Sequence, residues 1–274
     1  NEGEPADDWG CLDSDGKTLL DFEYQFEPRF ESSSPLFDFE NKNGWFVISQ
    51  TTGEKDEEGN LIYYYGVMDN KGNVIIPIAE QYIEREEIGN SDLIAAGRGI
   101  NGEFKYGYLN NKNEVAIPFE YDNALNFTDG LARVEKDGKY GYINEKGNIV
   151  IDCKYVEAQA FSNGLALVRR GDDQYIEYIN KEGVTVISPE ITKKWDRVYP
   201  FTANNRAMVY KESTGYGLIN IKGEEVLPCA YDKLFFLTPY YTRLPYIMYG
   251  AVSGDGEEAQ YMIVNNQGEL MEGK

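Results

Sequence analysis

The sequence predicts an all-β protein made of about seven tandem copies of a short β-hairpin unit. Three observations predict this fold class. An aromatic-glycine phrase recurs along the chain, a turn that ends in glycine follows it, and a β-branched run comes next. The copies begin near residues 9, 65, 106, 140, 176, 216 and 261.

The hairpin within each copy is clearest in the fourth one. Tyr140 and Tyr142 alternate with other residues, as expected of a strand that places successive side chains on opposite faces. Asn144-Glu145-Lys146-Gly147 then supplies turn chemistry, with a glycine that is free to adopt positive φ. The run Ile149-Val150-Ile151 predicts the returning strand, since β-branched residues favour sheets.

A second phrase connects one hairpin to the next. Residues 121–134 and 155–168 share the pattern Phe-x-x-Gly-Leu-Ala, which predicts a short strand after a loop. The turn at 136–139 leads that strand directly into the next Tyr-Gly strand. One unit is therefore predicted to be a three-stranded meander, with a fourth strand near 121–127.

Together these motifs resemble the WG-repeat (KWG) family, and the resemblance extends from Trp9 to Gly268. Tyrosine replaces the namesake tryptophan in most copies, and Ile176-Glu177 and Met262 depart from the pattern. The resemblance implies a bacterial protein, often secreted or envelope-associated, and the family has no established catalytic residues. No residue role is therefore transferred to this chain.

The architecture of the array follows from its two ends. Both carry the same hairpin, which favours an open superhelical or solenoid-like array; a β-propeller is the alternative. We expect a single domain over residues 1–274, with residues 1–8 as a flexible N-terminal segment. The chain starts at Asn1 and lacks an initiator methionine, which indicates a removed leader or a truncated chain. The predicted location is extracytoplasmic: secreted, periplasmic or surface-anchored.

Charge and composition restrict the partners and the chemistry. The chain has 26 Lys and Arg against 47 Asp and Glu, a net charge of −21 with no histidine. This field repels nucleic acid and anionic lipid, and we expect no direct membrane insertion. Without histidine there is no Ser-His or Cys-His pair and no His-ligated zinc. Proteins are the expected partners, and glycans are the alternative.

No cofactor or metal site is predicted. Gly97-Arg98-Gly99-Ile100-Asn101-Gly102 matches a dinucleotide-binding pattern, but it leads into a repeat strand and not into a helix. We interpret it as a loop. Asp13-Ser14-Asp15-Gly16 resembles the start of a calcium loop but lacks the remaining ligands, so we interpret it as a hairpin turn. Cys153 and Cys229 are interpreted as buried thiols that form no disulfide.

The aromatic residues have two interpretations. The first aromatic position of the repeat is predicted to form the core, the alternative being a stacking platform for sugars or partner side chains. It is occupied by Trp9, Tyr65, Tyr106, Tyr140 and Tyr216. Tyrosines outside this register are the candidate binding surface. They are Tyr63, Tyr64, Tyr240, Tyr241, Tyr246 and Tyr249.

These observations predict a non-catalytic protein that provides a binding or scaffold surface for proteins at the bacterial cell envelope. One alternative is a glycan-binding module that uses exposed tyrosines. Another is a carboxylate-dependent hydrolase, which would need an acid pair within about 10 Å in a cleft. No such pair stands out among the acidic residues of the sequence, so we do not expect an enzyme.

Overall fold

The structure is a computed structural model that describes residues 9–12, 18–24, 43–171, 175–202, 205–236, 249–253, 260–264 and 270–271. The predicted flexible segment at 1–8 and the predicted turn at 13–16 lie outside this part of the chain.

Antiparallel strands dominate the described residues, which confirms the all-β prediction. The strands of the first half are β1 (Trp9–Leu12), β2 (Thr18–Tyr24), β3 (Trp45–Lys55), β4 (Leu61–Asp69), β5 (Val74–Glu80), β6 (Tyr82–Ile83), β7 (Leu93–Ile100), β8 (Glu103–Asn110), β9 (Val115–Tyr121), β10 (Asn123–Ala124) and β11 (Leu131–Lys136). The second half contains β12 (Lys139–Asn144), β13 (Ile149–Ala158), β14 (Leu165–Arg170), β15 (Ile176–Asn180), β16 (Thr185–Ile187), helix α1 (Pro189–Thr192), β17 (Arg197–Thr202), β18 (Arg206–Lys211), β19 (Gly215–Asn220), β20 (Glu225–Tyr231), β21 (Lys233–Phe236), β22 (Tyr249–Ser253), β23 (Gln260–Val264) and β24 (Leu270–Met271).

The chain divides into two compact units, 1–137 with 144–148, and 138–143 with 149–274. In the first unit the sheet orders are β1-β2, β3-β4-β5 and β6-β7-β8-β9, and β10 pairs with β11. In the second unit β12 to β16 are neighbours in sequence order, followed by β17-β18-β19-β20 and β21-β22-β23-β24. None of the sheets closes into a barrel. The single domain, and the choice between open array and propeller, stay predictions.

Each of the seven predicted copies begins in a strand. The strands concerned are β1, β4, β8, β12, β15, β19 and β23. The sheet β6-β7-β8-β9 has the predicted meander order, with the two-residue β6 as its fourth strand. The repeat unit read from the sequence is therefore confirmed at the level of strands and their order.

The turns of the five copies whose turns the structure describes are held by the side chain of their first residue. The Oδ1 atom of Asn144 accepts hydrogen bonds from the backbone N–H groups of Lys146 and Asn148, both at 3.0 Å. Gly147 has a φ of 77°, a conformation that glycine adopts at no steric cost. The same pair of accepted bonds recurs at Asp69, Asn110, Asn180 and Asn220.

We expect Asn144→Ala to lower the free energy of unfolding by about 1–2 kcal/mol, because two backbone donors lose their acceptor. Urea unfolding monitored by circular dichroism measures this loss. Asn144→Asp is the matched control, because Asp69 already makes the equivalent turn and receives a 2.8 Å bond from Asn73, the counterpart of Asn148. Equal losses in both variants would contradict this role of the side-chain oxygen.

The glycine after each first-position aromatic lies where the returning strand crosses closely. A Cβ atom added to Gly107 would lie 2.8 Å from the carbonyl oxygen of Ile117 and 2.8 Å from the amide nitrogen of Phe119. The register between β8 and β9 shifts at this crossing. Gly66, Gly141 and Gly217 have the same close approach. Glycine at this position therefore admits the neighbouring backbone, which a Cβ atom would block.

In the third, fourth and fifth copies the buried aromatic lies two residues further along than the sequence predicted. Tyr108, Tyr142 and Tyr178 are fully buried. Their hydroxyl groups donate hydrogen bonds of 2.7–2.8 Å to backbone carbonyls, and their rings pack against Phe127, Phe161 and Phe201 with centroids 4.7–5.0 Å apart. The first-position residues Tyr65, Tyr106, Tyr140 and Tyr216 are only half-buried. They lie at the margin of the core and do not fill it.

The glycine-rich segment at 97–102 is a strand followed by a turn, so the interpretation as a loop was wrong for most of it. Gly97 and Gly99 lie within β7, and only Asn101 and Gly102 turn, with φ of 52° and 85°. A Cβ on Gly97 would lie 2.5 Å from the ring of Phe104. This contact across the hairpin accounts for glycine at that position.

Candidate functional site

The tyrosines chosen from the sequence are placed only in part. Tyr63 and Tyr64 lie on β4, are half-buried, and pair with Thr51 and Gln50 of β3. As neighbours on one strand they point to opposite faces, so they do not form one joint surface. Tyr249 begins β22. Tyr240, Tyr241 and Tyr246 lie outside the described residues. Their role as a binding surface stays a prediction.

A different set of exposed apolar residues lies at the sheet edges. β5 and β9 are the last strands of their sheets, and each begins with a valine at the same repeat position. The exposed fraction is 51% for Val74 and 53% for Val115. We call these two residues the edge valines. Both valines therefore offer an apolar, solvent-exposed side chain at the same place in the repeat.

The residues around the edge valines determine how they can bind. Pro77 and Pro118, both exposed, follow three residues later on the same strands and lack a backbone donor. They limit the addition of a further strand, so binding there would use side chains. The exposed Lys71 and Lys112 lie in the preceding turns. They lie outside the apolar contact that the valines offer.

The fifth copy interrupts the repeat. Glu177 occupies the position of the crossing glycine and is 4% exposed. Its carboxylate accepts a 2.7 Å hydrogen bond from the hydroxyl of Thr185 and a further bond from Nε of Arg170. In other copies a glycine at this position lets the backbone of the returning strand approach closely. The Glu177 side chain prevents that approach, and the pairing of β15 with β16 ends at Ile187. The chain then turns into α1, whose first intrahelical bond runs from the N–H of Ile191 to the Ser188 carbonyl.

Trp195 follows α1 and takes the place of a repeat tyrosine. It precedes Phe201 by six residues, as Tyr155 precedes Phe161. The Trp195 indole N–H donates a hydrogen bond to the sulfur of Cys229. Burial and the nearby Glu225 raise the pKa of the Cys229 thiol to about 11. The thiol is therefore neutral at pH 7 and a poor nucleophile.

The sequence predicts this copy only as one that departs from the repeat pattern, without the helix that follows it. The available signals were Glu177 in place of glycine, Pro189 soon after the returning strand, and Trp195 in place of tyrosine. Within the described residues, no group of three or more Cys, Asp or Glu side chains is arranged to hold a metal ion. The short helix found in the same residues is too short to cross a bilayer.

Comparison with known proteins identifies the repeat. The family described as "WG containing repeat" matches residues 106–140, 140–172, 178–214 and 216–238. No match was found among the curated proteins. These four tandem matches confirm the resemblance drawn from the motifs.

Three solved structures are similar to the chain. The computationally designed Ika8 protein has 12% identity and a TM-score of 0.43, over 82% of this chain and 70% of that one. Dihydro-heme d1 dehydrogenase NirN in complex with DHE has 12% identity and a TM-score of 0.43, over 95% of this chain and 59% of that one. The tricorn protease has 14% identity and a TM-score of 0.26, over 93% of this chain and 31% of that one.

Proposed function

We propose that the chain is a non-catalytic scaffold that binds proteins at the bacterial cell envelope. The four tandem matches to the WG-containing repeat between residues 106 and 238 support a repeat protein. The observation that carries the proposal is the pair of edge valines, which present the same exposed β-branched side chain from two sheets. Repeats that offer equivalent side chains in tandem suit extended recognition of one partner.

The partner we propose carries apolar side chains on a protein surface of net positive charge. Apolar contact with the edge valines supplies the buried centre of the interface, and the net charge of −21 attracts a basic surface. Because Pro77 and Pro118 remove backbone donors from the same edges, side chains of the partner make the contacts. The envelope location follows from the family resemblance, which implies secreted or envelope-associated proteins.

Photo-crosslinking in a bacterium that produces the chain tests the proposal. A photoreactive amino acid at position 74 or 115 is expected to give a covalent adduct with a distinct protein in the envelope fraction. Position 79 is the matched control, because Ala79 is exposed on β5 beyond Pro77. An absence of adducts at 74 and 115, or equal adducts at 79, would sink the proposal.

A pair of double variants separates binding from folding. Val74→Lys with Val115→Lys is expected to abolish the adduct formed from a further probe placed at Ala116, which is exposed beside Val115. Val74→Thr with Val115→Thr keeps β-branched side chains and serves as the control for strand structure. The lysine pair should lose the adduct more completely than the threonine pair, and an adduct that persisted unchanged in the lysine pair would show that apolar contact is not the basis of binding.

A further inference from the structure

A cavity lies beside the interrupted fifth copy, within the second unit. Its volume is about 550 Å³, and it is bounded by Ile191, Lys194 and Trp195 on one side and by Lys211 and residues 222–225 on the other. This volume falls in the range of small-molecule pockets, roughly 300–1,000 Å³.

The cavity exists because α1 adds a wall that other copies lack. In the regular pattern, a turn glycine lies over an isoleucine of the preceding copy: a Cβ on Gly183 would be 3.4 Å from the side chain of Ile151. At Gly223 the corresponding distance to Ile187 is 3.0 Å, and Ile191 of α1 approaches to 2.7 Å. Among the described copies, only the fifth is followed by a helix that packs on the next turn.

The cations around the cavity are not neutralised by the chain. Lys194, Lys211 and Lys222 are exposed and form no ion pair within the part of the chain that the structure describes. Elsewhere Lys105 and Lys136 are each paired with carboxylates at 2.8–3.1 Å. With Glu224 and Glu225 also in the lining, three lysines against two glutamates give the cavity a net charge of +1 in a chain of net charge −21.

The two carboxylates at the same cavity already have partners. The Glu224 carboxylate accepts a 2.8 Å hydrogen bond from the side-chain amide of Asn220. The Glu225 carboxylate is hydrogen-bonded to the thiol of Cys229. The side chains left to meet a ligand are therefore the lysines and the apolar surfaces of Ile191 and Trp195.

We propose that this cavity binds a small organic polyanion, with two or three carboxylate groups on a compact carbon frame. Lysine ammonium groups bind carboxylates as point charges without demanding bidentate geometry. The apolar wall formed by Ile191 and Trp195 contacts the carbon frame. A purely inorganic anion would bind the lysines but would make no apolar contact with this wall. The site is separate from the edge valines and does not depend on the proposed function.

Isothermal titration of the full chain with citrate, at low ionic strength, tests the proposal. We expect saturable binding of one citrate per chain, which weakens as salt screens the lysines. Lys211→Gln with Lys222→Gln is expected to weaken citrate binding about tenfold. Lys112→Gln is the matched control, because Lys112 is exposed at the turn position that Lys222 occupies in the sixth copy. This control should bind citrate with unchanged affinity.

Further measurements locate the ligand and define its class. Citrate should slow amide hydrogen exchange at 191–195 and 222–225, with no effect around Lys112. Sulfate, as the inorganic probe, should bind at least about tenfold more weakly than citrate. The absence of saturable citrate binding would overturn the proposal. So would equal weakening by the Lys112 control, or sulfate binding as tight as citrate binding with the same dependence on Lys211 and Lys222.

Discussion

Gly107→Ala is expected to lower the free energy of unfolding by about 3 kcal/mol, the upper end of the cost of overpacking. The added methyl group would lie 2.8 Å from two backbone atoms of β9, where no flexible side chain can move aside. The strand itself must shift, and the shift disturbs the crossing that places Ile117 in the core. Urea unfolding followed by circular dichroism and tyrosine fluorescence gives the change.

Gly99→Ala is the matched control for this change. Gly99 lies on the neighbouring strand β7, and its added methyl group would meet only the side chain of Gln81, at 3.4 Å. This variant should differ from the original chain by no more than about 0.5 kcal/mol. If both alanines cost the same, the close approach of the backbone at Gly107 would not be the cause of the loss.

Tyr142→Ala is expected to lower the free energy of unfolding by about 4 kcal/mol, as for other large aromatic-to-alanine changes in cores. The side chain is fully buried, its ring centroid is 4.7 Å from that of Phe161, and its hydroxyl donates a 2.7 Å hydrogen bond to the Gln159 carbonyl. Alanine would remove all of these contacts and leave a cavity.

Two further variants divide this effect into its parts. Tyr142→Phe keeps the ring and removes the hydroxyl, so it should cost about 1 kcal/mol for the unsatisfied carbonyl of Gln159. Tyr140→Ala removes a half-buried ring from the same face of β12 and should cost less than Tyr142→Ala. If Tyr140→Ala lowered the free energy of unfolding more than Tyr142→Ala, the first aromatic position would be the core position, which would contradict the observed burial.

The sequence predicts the features of the repeat that depend on neighbouring residues. The turn at 144–147 was recognised because the Asn side chain and the glycine act within five residues of each other. The strand beginning at Tyr140 was recognised from its alternation and from its recurrence in other copies. Such local chemistry does not need the rest of the chain to be known.

The depth of the core could not be read in the same way. Tyr140 and Tyr142 share one face of a strand, so alternation alone does not say which is more deeply buried. The difference comes from Phe161, which reaches the second tyrosine from a separate segment of the copy. The edge position of the valines is equally non-local, because the sequence does not show that β5 and β9 are the last strands of their sheets.

The interrupted copy shows the same limit. Glu177 is visible in the sequence as a lost glycine, but its effect falls on the backbone beyond Ile187, which pairs with the adjacent Tyr178. The position of β16 in the structure is needed to see that the Glu177 side chain stops its pairing with β15 and that a helix follows. The cavity beside Trp195 is a product of that exclusion, so no pattern within residues 191–225 would have indicated it.

Tandem duplication produces near-identical modules, and a ligand that recognises one module would recognise all of them. Glu177 makes one module different from the others. After it the backbone forms a helix in place of a continued strand, while the local fold of the neighbouring modules is preserved. In this way a periodic polypeptide acquires one location that can be distinguished from the rest and can diverge independently of them.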